Sequence, residues 1–306
     1  MPRRDNIRLR IVFCLNRKIC MSHSNHTAEL QHIHISAKHD LFDLKLDEVW
    51  QSRRLIWLFT KRSFVVSYKQ TILGPLWLFL MPLLTSITYV ILFGNIAKLS
   101  TDGVPQLLFY LTGNALWTYF SSCVTRSADT FTGNSYLFGK VYFPRLVMPL
   151  SDMLGNAMRF GIQMILVLVL LVYYTVRGIV TPHFIWWLMV PVLLIWLGLM
   201  GMGFGIIISS LTTKYRDLHV LVSFGVTLWM YATPVVYPFS MLDGTLKKVL
   251  LFNPVTEPME LFRYAVLGVG TISPAYVGLS LAVTAVVVIA GIMIFNRVER
   301  TFMDTV

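Results

Sequence analysis

The sequence predicts an all-α membrane protein. Six transmembrane helices follow an N-terminal amphipathic helix in the membrane interface, and a re-entrant helical hairpin on the outer face precedes the last span. Three observations lead there. Of 306 residues, 56% are hydrophobic, against roughly 45–50% in a soluble domain even with glycine counted. The apolar residues lie in runs of about 20, the length that crosses about 30 Å of hydrocarbon at about 1.5 Å per residue. Charged residues make up only 13%, which excludes a disordered or nucleic-acid-wrapping chain despite the net charge of +11. Cys14, Cys20 and Cys123 form no C-x-x-C pair, so a disulfide framework and a zinc or redox site are excluded too.

Residues 1–40 read as a polar, disordered tail. Its apolar patch, Ile11 to Leu15, is too short for a signal-peptide core, and Met21 is a second candidate start. Five of the seven histidines (His23, His26, His32, His34, His39) lie here. His32-x-His34 has ligand-like spacing, but no packed surround fixes it, so no metal is assigned. Residues 41–75 read as a cytoplasmic interface segment, because Leu46, Val49, Trp50, Ile56, Trp57 and Phe64 recur at helical spacing. Arg53, Arg54 and Lys61 fall on or beside the apolar face and must snorkel. A basic stretch that only neutralises anionic lipid is the alternative reading.

Residues 76–306 hold the six spans, expected near 76–97, 107–126, 155–176, 184–210, 218–238 and 274–296. The second is the least apolar, with Thr112, Asn114, Thr118, Ser121 and Ser122. Thr181-Pro182 and Ser273-Pro274 each place a capping hydroxyl before a proline, the chemistry of a helix start. Between spans five and six, Pro254 and Pro258 divide an apolar stretch into two short pieces, which suits a re-entrant or interfacial hairpin. On these spans, 21 of the 26 lysines and arginines fall on one side. The exceptions are Lys98, Arg177, Lys247, Lys248 and Arg263. The positive-inside rule then puts both termini in the cytoplasm.

Chemistry is sparse. Gly133 to Lys140 has five residues between its glycines where a phosphate loop has four, and Val141 stands where Ser or Thr would hold magnesium. The glycines at 198, 201, 203 and 205 lie inside a span, where they favour close helix packing. Asp129, Asp152 and Arg159 are the only candidates for acid–base work. Asp152 and Arg159 share a helix face, and a structural ion pair, direct or through water, is favoured over catalysis. Trp117, Tyr119, Phe120, Trp229 and Tyr231 lie deep in spans that also carry polar residues. Their rings suit stacking on sugar faces, and core packing also explains each one singly.

Four local patterns resemble the membrane subunit of ABC-2 type polysaccharide exporters, the family that exports O-antigen, capsule and teichoic acid chains. They are Tyr68-Lys69-Gln70-Thr71-Ile72-Leu73-Gly74-Pro75-Leu76-Trp77 with Pro82; Tyr142-Phe143-Pro144-Arg145 with Pro149; Tyr215-Arg216-Asp217; and Pro234, Tyr237 and Pro238 followed by Asn253-Pro254 and Arg263. Their order and spacing cover most of residues 45–300. The resemblance implies a homodimer of six-span subunits with two copies of a separate ATPase. ATP and magnesium would sit on that partner, with no cofactor in this chain and no nucleic acid. It further implies that the loop from Leu137 to Pro149, with Tyr142, Phe143, Pro144, Arg145 and Pro149, couples to the ATPase beside the interface helix. The cargo it implies is a lipid-linked glycan leaving the cytoplasm across the bacterial inner membrane. Arg53, Arg54, Lys61, Arg62 and Lys69 would attract its phosphate-containing head group, and Trp117, Tyr119, Phe120, Trp229 and Tyr231 would line its path. Two alternatives are an ABC-2 exporter of drugs or lipids and, from another class, a membrane glycosyltransferase or polymerase. The latter calls for a large outer loop with acidic residues, which this sequence lacks.

Overall fold

A computed structural model describes residues 46–302 except 70, 139, 141, 142 and 213–216, with the side chains of 46, 135, 246 and 297–302 also left out. The expected tail and the alternative start at Met21 lie outside the described residues, as do Tyr142 and Tyr215-Arg216. All regular structure among the described residues is helical. In chain order the α-helices are α1 (Leu46–Gln51), α2 (Arg53–Tyr68), α3 (Trp77–Tyr89), α4 (Gln106–Ala128), α5 (Thr130–Phe138), α6 (Val147–Val176), α7 (Val190–Thr212), α8 (Leu218–Tyr231), α9 (Gly244–Leu251), α10 (Thr256–Leu267) and α11 (Pro274–Phe302). A 3₁₀ turn at Gly74–Leu76 leads into α3, which continues as a π-helix over Val90–Ile96, and another at Phe184–Met189 leads into α7.

Four of these stretches, 74–96, 147–176, 184–212 and 274–296, are long and apolar enough to cross a membrane. They coincide with the first, third, fourth and sixth expected spans. The second expected span is α4, a continuous 23-residue helix whose polar residues lower its apolarity. The fifth is shorter than expected. α8 has 14 residues, about 21 Å at about 1.5 Å per residue, and it stops before Pro234, which cannot continue a helix. α6 runs eight residues beyond the expected start of its span, because Asp152 and Arg159 find partners and need no aqueous loop. α11 starts at Pro274 as its Ser273-Pro274 signal predicts. The helix after Thr181-Pro182 starts later, at Phe184, because His183 is held in a non-helical conformation (φ −90°, ψ 84°) with its ring stacked on Tyr264 at 4.5 Å.

The core runs along α4 and α7, which make the most extensive helix contact in the molecule. Glycine permits it. A Cβ on Gly201 would come within 3.1 Å of the Phe120 carbonyl and one on Gly205 within 2.5 Å of the Val124 carbonyl, so only bare backbone fits. Gly203 turns the other way, towards Val287 of α11, and Gly291 of α11 approaches the Gly203 carbonyl in turn. Polar side chains tie the same helices together: the Tyr119 hydroxyl donates to the Leu194 carbonyl (2.9 Å), and the Trp196 indole to Thr284 (2.9 Å).

The connections gather at two ends. At one, α2 lies across the start of α6, with the Thr60 hydroxyl at 3.1 Å from the Ser151 carbonyl, and α5 packs under α7. At the other, α9 and α10 meet the loops that precede α4 and α7. Gly268 ends α10 in the left-handed conformation (φ 75°), and a Cβ there would strike the Thr181 carbonyl. Pro258 does not divide this region as expected. It lies in the first turn of α10, where backbone N–H groups lack helical partners anyway, and the break falls at Pro254.

Candidate functional site

At the α2–α5 end a cleft of about 520 Å³ opens between α2, the end of α4, α5 and the start of α6. Arg62, Arg126, Asp129, Asn134, Tyr136 and Asp152 supply most of its polarity. Arg126 pairs with Asp152 at 3.7 Å, and His219 approaches Asp129 at 3.3 Å. The pair foreseen between Asp152 and Arg159 is replaced. Arg159 instead donates to Asn156 Oδ1 (2.8 Å) and to the Ser67 hydroxyl (3.2 Å), which fastens α2 to α6. Arg126, one helix across at the same depth, carried no local sequence signal for this role.

After α5, the described residues Phe143 and Arg145 are buried. Phe143 is buried between Phe59 of α2 (5.6 Å between centroids) and Phe138 of α5 (5.6 Å), and Phe131 joins Phe138 to Phe295 of α11. Arg145 is only 5% exposed, its guanidinium 5.5 Å from the centre of the Phe138 ring. Pro144 is half-buried, and Pro149 is buried in the first turn of α6. Arg53, Arg54, Lys61, Arg62 and Lys69 are all exposed along α2 and its end, beside exposed Trp57, Leu58, Val65 and Val66.

The five aromatic residues divide by burial. Trp117 (5% exposed), Tyr119 and Phe120 are core residues, while Trp229 is half-buried and Tyr231 is 51% exposed. Trp229 is the hub: Phe120 and Phe204 meet it edge-on at 5.2 and 5.1 Å, and its indole donates to Asn253 Oδ1 at 3.0 Å. Asn253 also donates to the Ala232 carbonyl (2.7 Å) and to Thr233 Oγ1 (2.9 Å), closing the end of α8.

A third cluster lies in α10. Arg263, 1% exposed, donates to the carbonyls of Val235 (2.7 Å) and Tyr237 (3.3 Å) and to Glu260 Oε1 (3.2 Å), with its guanidinium 4.1 Å from the centre of the Phe109 ring. Glu260 Oε2 accepts the Thr271 N–H at 3.2 Å. Burial raises the Glu260 pKa, and the Arg263 charge opposes it. Sequence reasoning found Arg263 and Asn253 but passed over Glu257 and Glu260, although the 257, 260, 263 spacing puts all three on one helix face.

An all-helical bundle with four apolar helices of spanning length, charges at its ends and no cluster of three metal-ligating side chains among the described residues is a polytopic membrane protein. The chain belongs to the ABC-2 type transporter family, whose profile matches residues 54–267, and it is therefore the membrane subunit of a transporter. It is 27% identical over 250 residues to an O-antigen export system permease protein RfbA of Klebsiella pneumoniae, covering 82% of this chain and 94% of the relative. A second such protein from that organism is 28% identical over the same shares. One from Myxococcus xanthus is 30% identical over 220 residues, 71% of this chain and 81% of the relative.

Proposed function

We propose that the chain is the permease of an ATP-driven exporter that moves a lipid-linked polysaccharide out of the cytoplasm across a bacterial inner membrane. The observation that carries this reading is the likeness to O-antigen export permeases over 82% of the chain. Two copies pair and associate with two copies of a separate ABC ATPase, which binds the ATP and magnesium. α4 and α8 complete six spans, with both termini cytoplasmic, α2 in the cytoplasmic interface, and α9–α10 re-entrant on the outer side.

Coupling runs through the anchored loop. A push on Phe143, Pro144, Arg145 or Pro149 passes to α2 through Phe59 and to α11 through Phe131 and Phe295, so the contact moves a packed unit rather than a loose strand. The exposed Arg53, Arg54, Lys61, Arg62 and Lys69 attract the phosphate-bearing head group. Tyr231 and the open part of Trp229 face the glycan, Trp117 and Phe120 back the Trp229 ring, and Tyr119 holds α4 against Phe160 and Leu194 behind them. The test is reconstitution in lipid vesicles. The chain alone hydrolyses no ATP, and with its ATPase it exports lipid-linked glycan. Hydrolysis by the chain alone, or ATP-driven movement of drugs but not glycan, rejects the reading.

A further inference from the structure

We propose that Glu257 is a proton-binding site that fastens α10 in the bundle. The end of the bundle built from α9 and α10 stays closed while the proton is bound and loosens when it leaves.

α10 carries Glu257, Glu260 and Arg263, all buried. Arg263 is committed to Glu260 and two carbonyls, and Glu260 in turn has Arg263 and the Thr271 N–H. Glu257, 2% exposed, has no cation within ion-pair distance among the described residues, and its Oε2 has no hydrogen-bond partner.

None of the neighbouring elements supplies the missing charge. α9 and its cap bring Asp243, Lys247 and Lys248. The Lys247 ammonium lies 5.3 Å from the centre of the Phe239 ring, and Lys248 is exposed. The loop before α4 brings Asp102, an anion that accepts the Ser240 hydroxyl at 2.6 Å. α4 brings Tyr110, whose hydroxyl is itself unpartnered, and the loop after α8 brings Tyr237, which donates to the Tyr231 carbonyl. Ahead of α7, His183 stacks on Tyr264 with Nδ1 at 3.3 Å from its carbonyl oxygen. α7 carries no charged side chain, and among its described side chains α11 carries none.

An ionised Glu257 would therefore be a second buried carboxylate beside Glu260, with no cation of its own among the described residues. A buried carboxylate without a cation binds a proton instead. Burial carries the Glu257 pKa up to about 7, with Glu260 adding to the rise and the nearby Ser273 N–H opposing it. The direction fixes the sign. Because the folded-state pKa is raised, the stabilising state is the protonated one, complete below the ordinary carboxylate range and lost as pH rises through about 7. Once the proton leaves, two buried carboxylates on successive turns of α10 repel each other, and this loosens the helix whose Arg263 holds the chain beyond α8 through Val235 and Tyr237. In the orientation proposed above this end faces outside the cytoplasm, so outer pH sets how firmly it closes. The proton site itself does not depend on what the transporter carries.

The test uses the full chain in lipid nanodiscs. The thermal unfolding midpoint should fall on the order of 5 °C between about pH 6 and about pH 8.5, while E257Q, which keeps the shape without the titration, should lose less than a quarter of that. Equal falls in the two proteins overturn the proposal. An infrared titration of the unsubstituted protein decides the matter even if E257Q does not accumulate. A protonated-carboxyl band should disappear across the same interval and persist at pH 6 in E260Q, and its absence at pH 6 overturns the proposal. A sample that exports no glycan yet shows the pH response would reject the export reading and leave the proton site standing.

Discussion

Replacing Arg263 with methionine tests whether the α10 cluster holds this end of the molecule together. Methionine fills much of the same space and packs on Phe109, but it donates nothing. Glu260 then keeps a buried charge with only the Thr271 N–H to oppose it, and the Val235 and Tyr237 carbonyls lose their donor. Breaking a buried pair from one side costs about 3–5 kcal/mol, and each orphaned carbonyl about 1–3 kcal/mol. These costs overlap, since all of the groups relax around one vacated site, so the expected loss is about 4 kcal/mol. For a chain of this size that lowers the unfolding midpoint by about 10 °C, readable by tryptophan fluorescence during heating in detergent. The double substitution E260Q/R263M removes the stranded charge and should recover about half of the loss. An R263M midpoint within about 2 °C of the unsubstituted protein, or a double variant less stable than the single one, refutes the reasoning.

Three further outcomes are expected. Gly205→Val drives a side chain into Ser127 and the Val124 carbonyl and should cost about 1–3 kcal/mol, whereas Gly225→Ala, with open space around it, should leave the melting midpoint in place. Arg145→Glu puts a carboxylate against the Phe138 ring. It should leave membrane insertion intact while ATPase assembly and glycan export fall together in a pull-down and an export assay; normal export removes Arg145 from coupling. Changing Arg53, Arg54, Lys61, Arg62 and Lys69 to glutamine should weaken binding to anionic vesicles by about 1 kcal/mol per residue near the surface. If these residues select the cargo head group, binding of lipid-linked glycan falls further than binding of ordinary anionic lipid, and equal losses mean plain lipid neutralisation.

The bundle was legible in the sequence where one physical rule acts alone. Apolar runs marked four of the helices, and Ser273-Pro274 marked the start of α11 to the residue. The errors fall where tertiary contacts override local signals. α8 stops early because Asn253, twenty residues away, and Arg263 supply donors to its end and to the loop beyond, so Pro234 can turn the chain there. Pro258 suggested a break, but only the location of the helix start shows that it occupies a tolerated first turn. Of the candidate residues, the sequence's charge pattern anticipates the exposed basic residues of α2, while the Tyr142–Pro149 segment was picked out by motif alone. The burial of Phe143 depends on Phe59 and Phe138 from two separate helices, and Phe138 also covers Arg145. The Arg126–Asp152 pair joins two helices whose registry no local pattern encodes.

The contact between α4 and α7 differs in kind from the aromatic nest around Phe143. Inside a membrane the two helices gain little by leaving lipid, since acyl chains are as apolar as leucine. Their cohesion is the sum of dispersion contacts of about 0.1–0.2 kcal/mol each, made at the short range that Gly201 and Gly205 allow. Such contacts lack the heat-capacity signature of water-driven burial and do not fade on cooling. The Phe59, Phe138 and Phe143 nest lies at the charged end of the bundle, where it does rely on water. Cold should therefore slacken the packing of Phe143 on α2 and α5 while the α4–α7 pair stays tight.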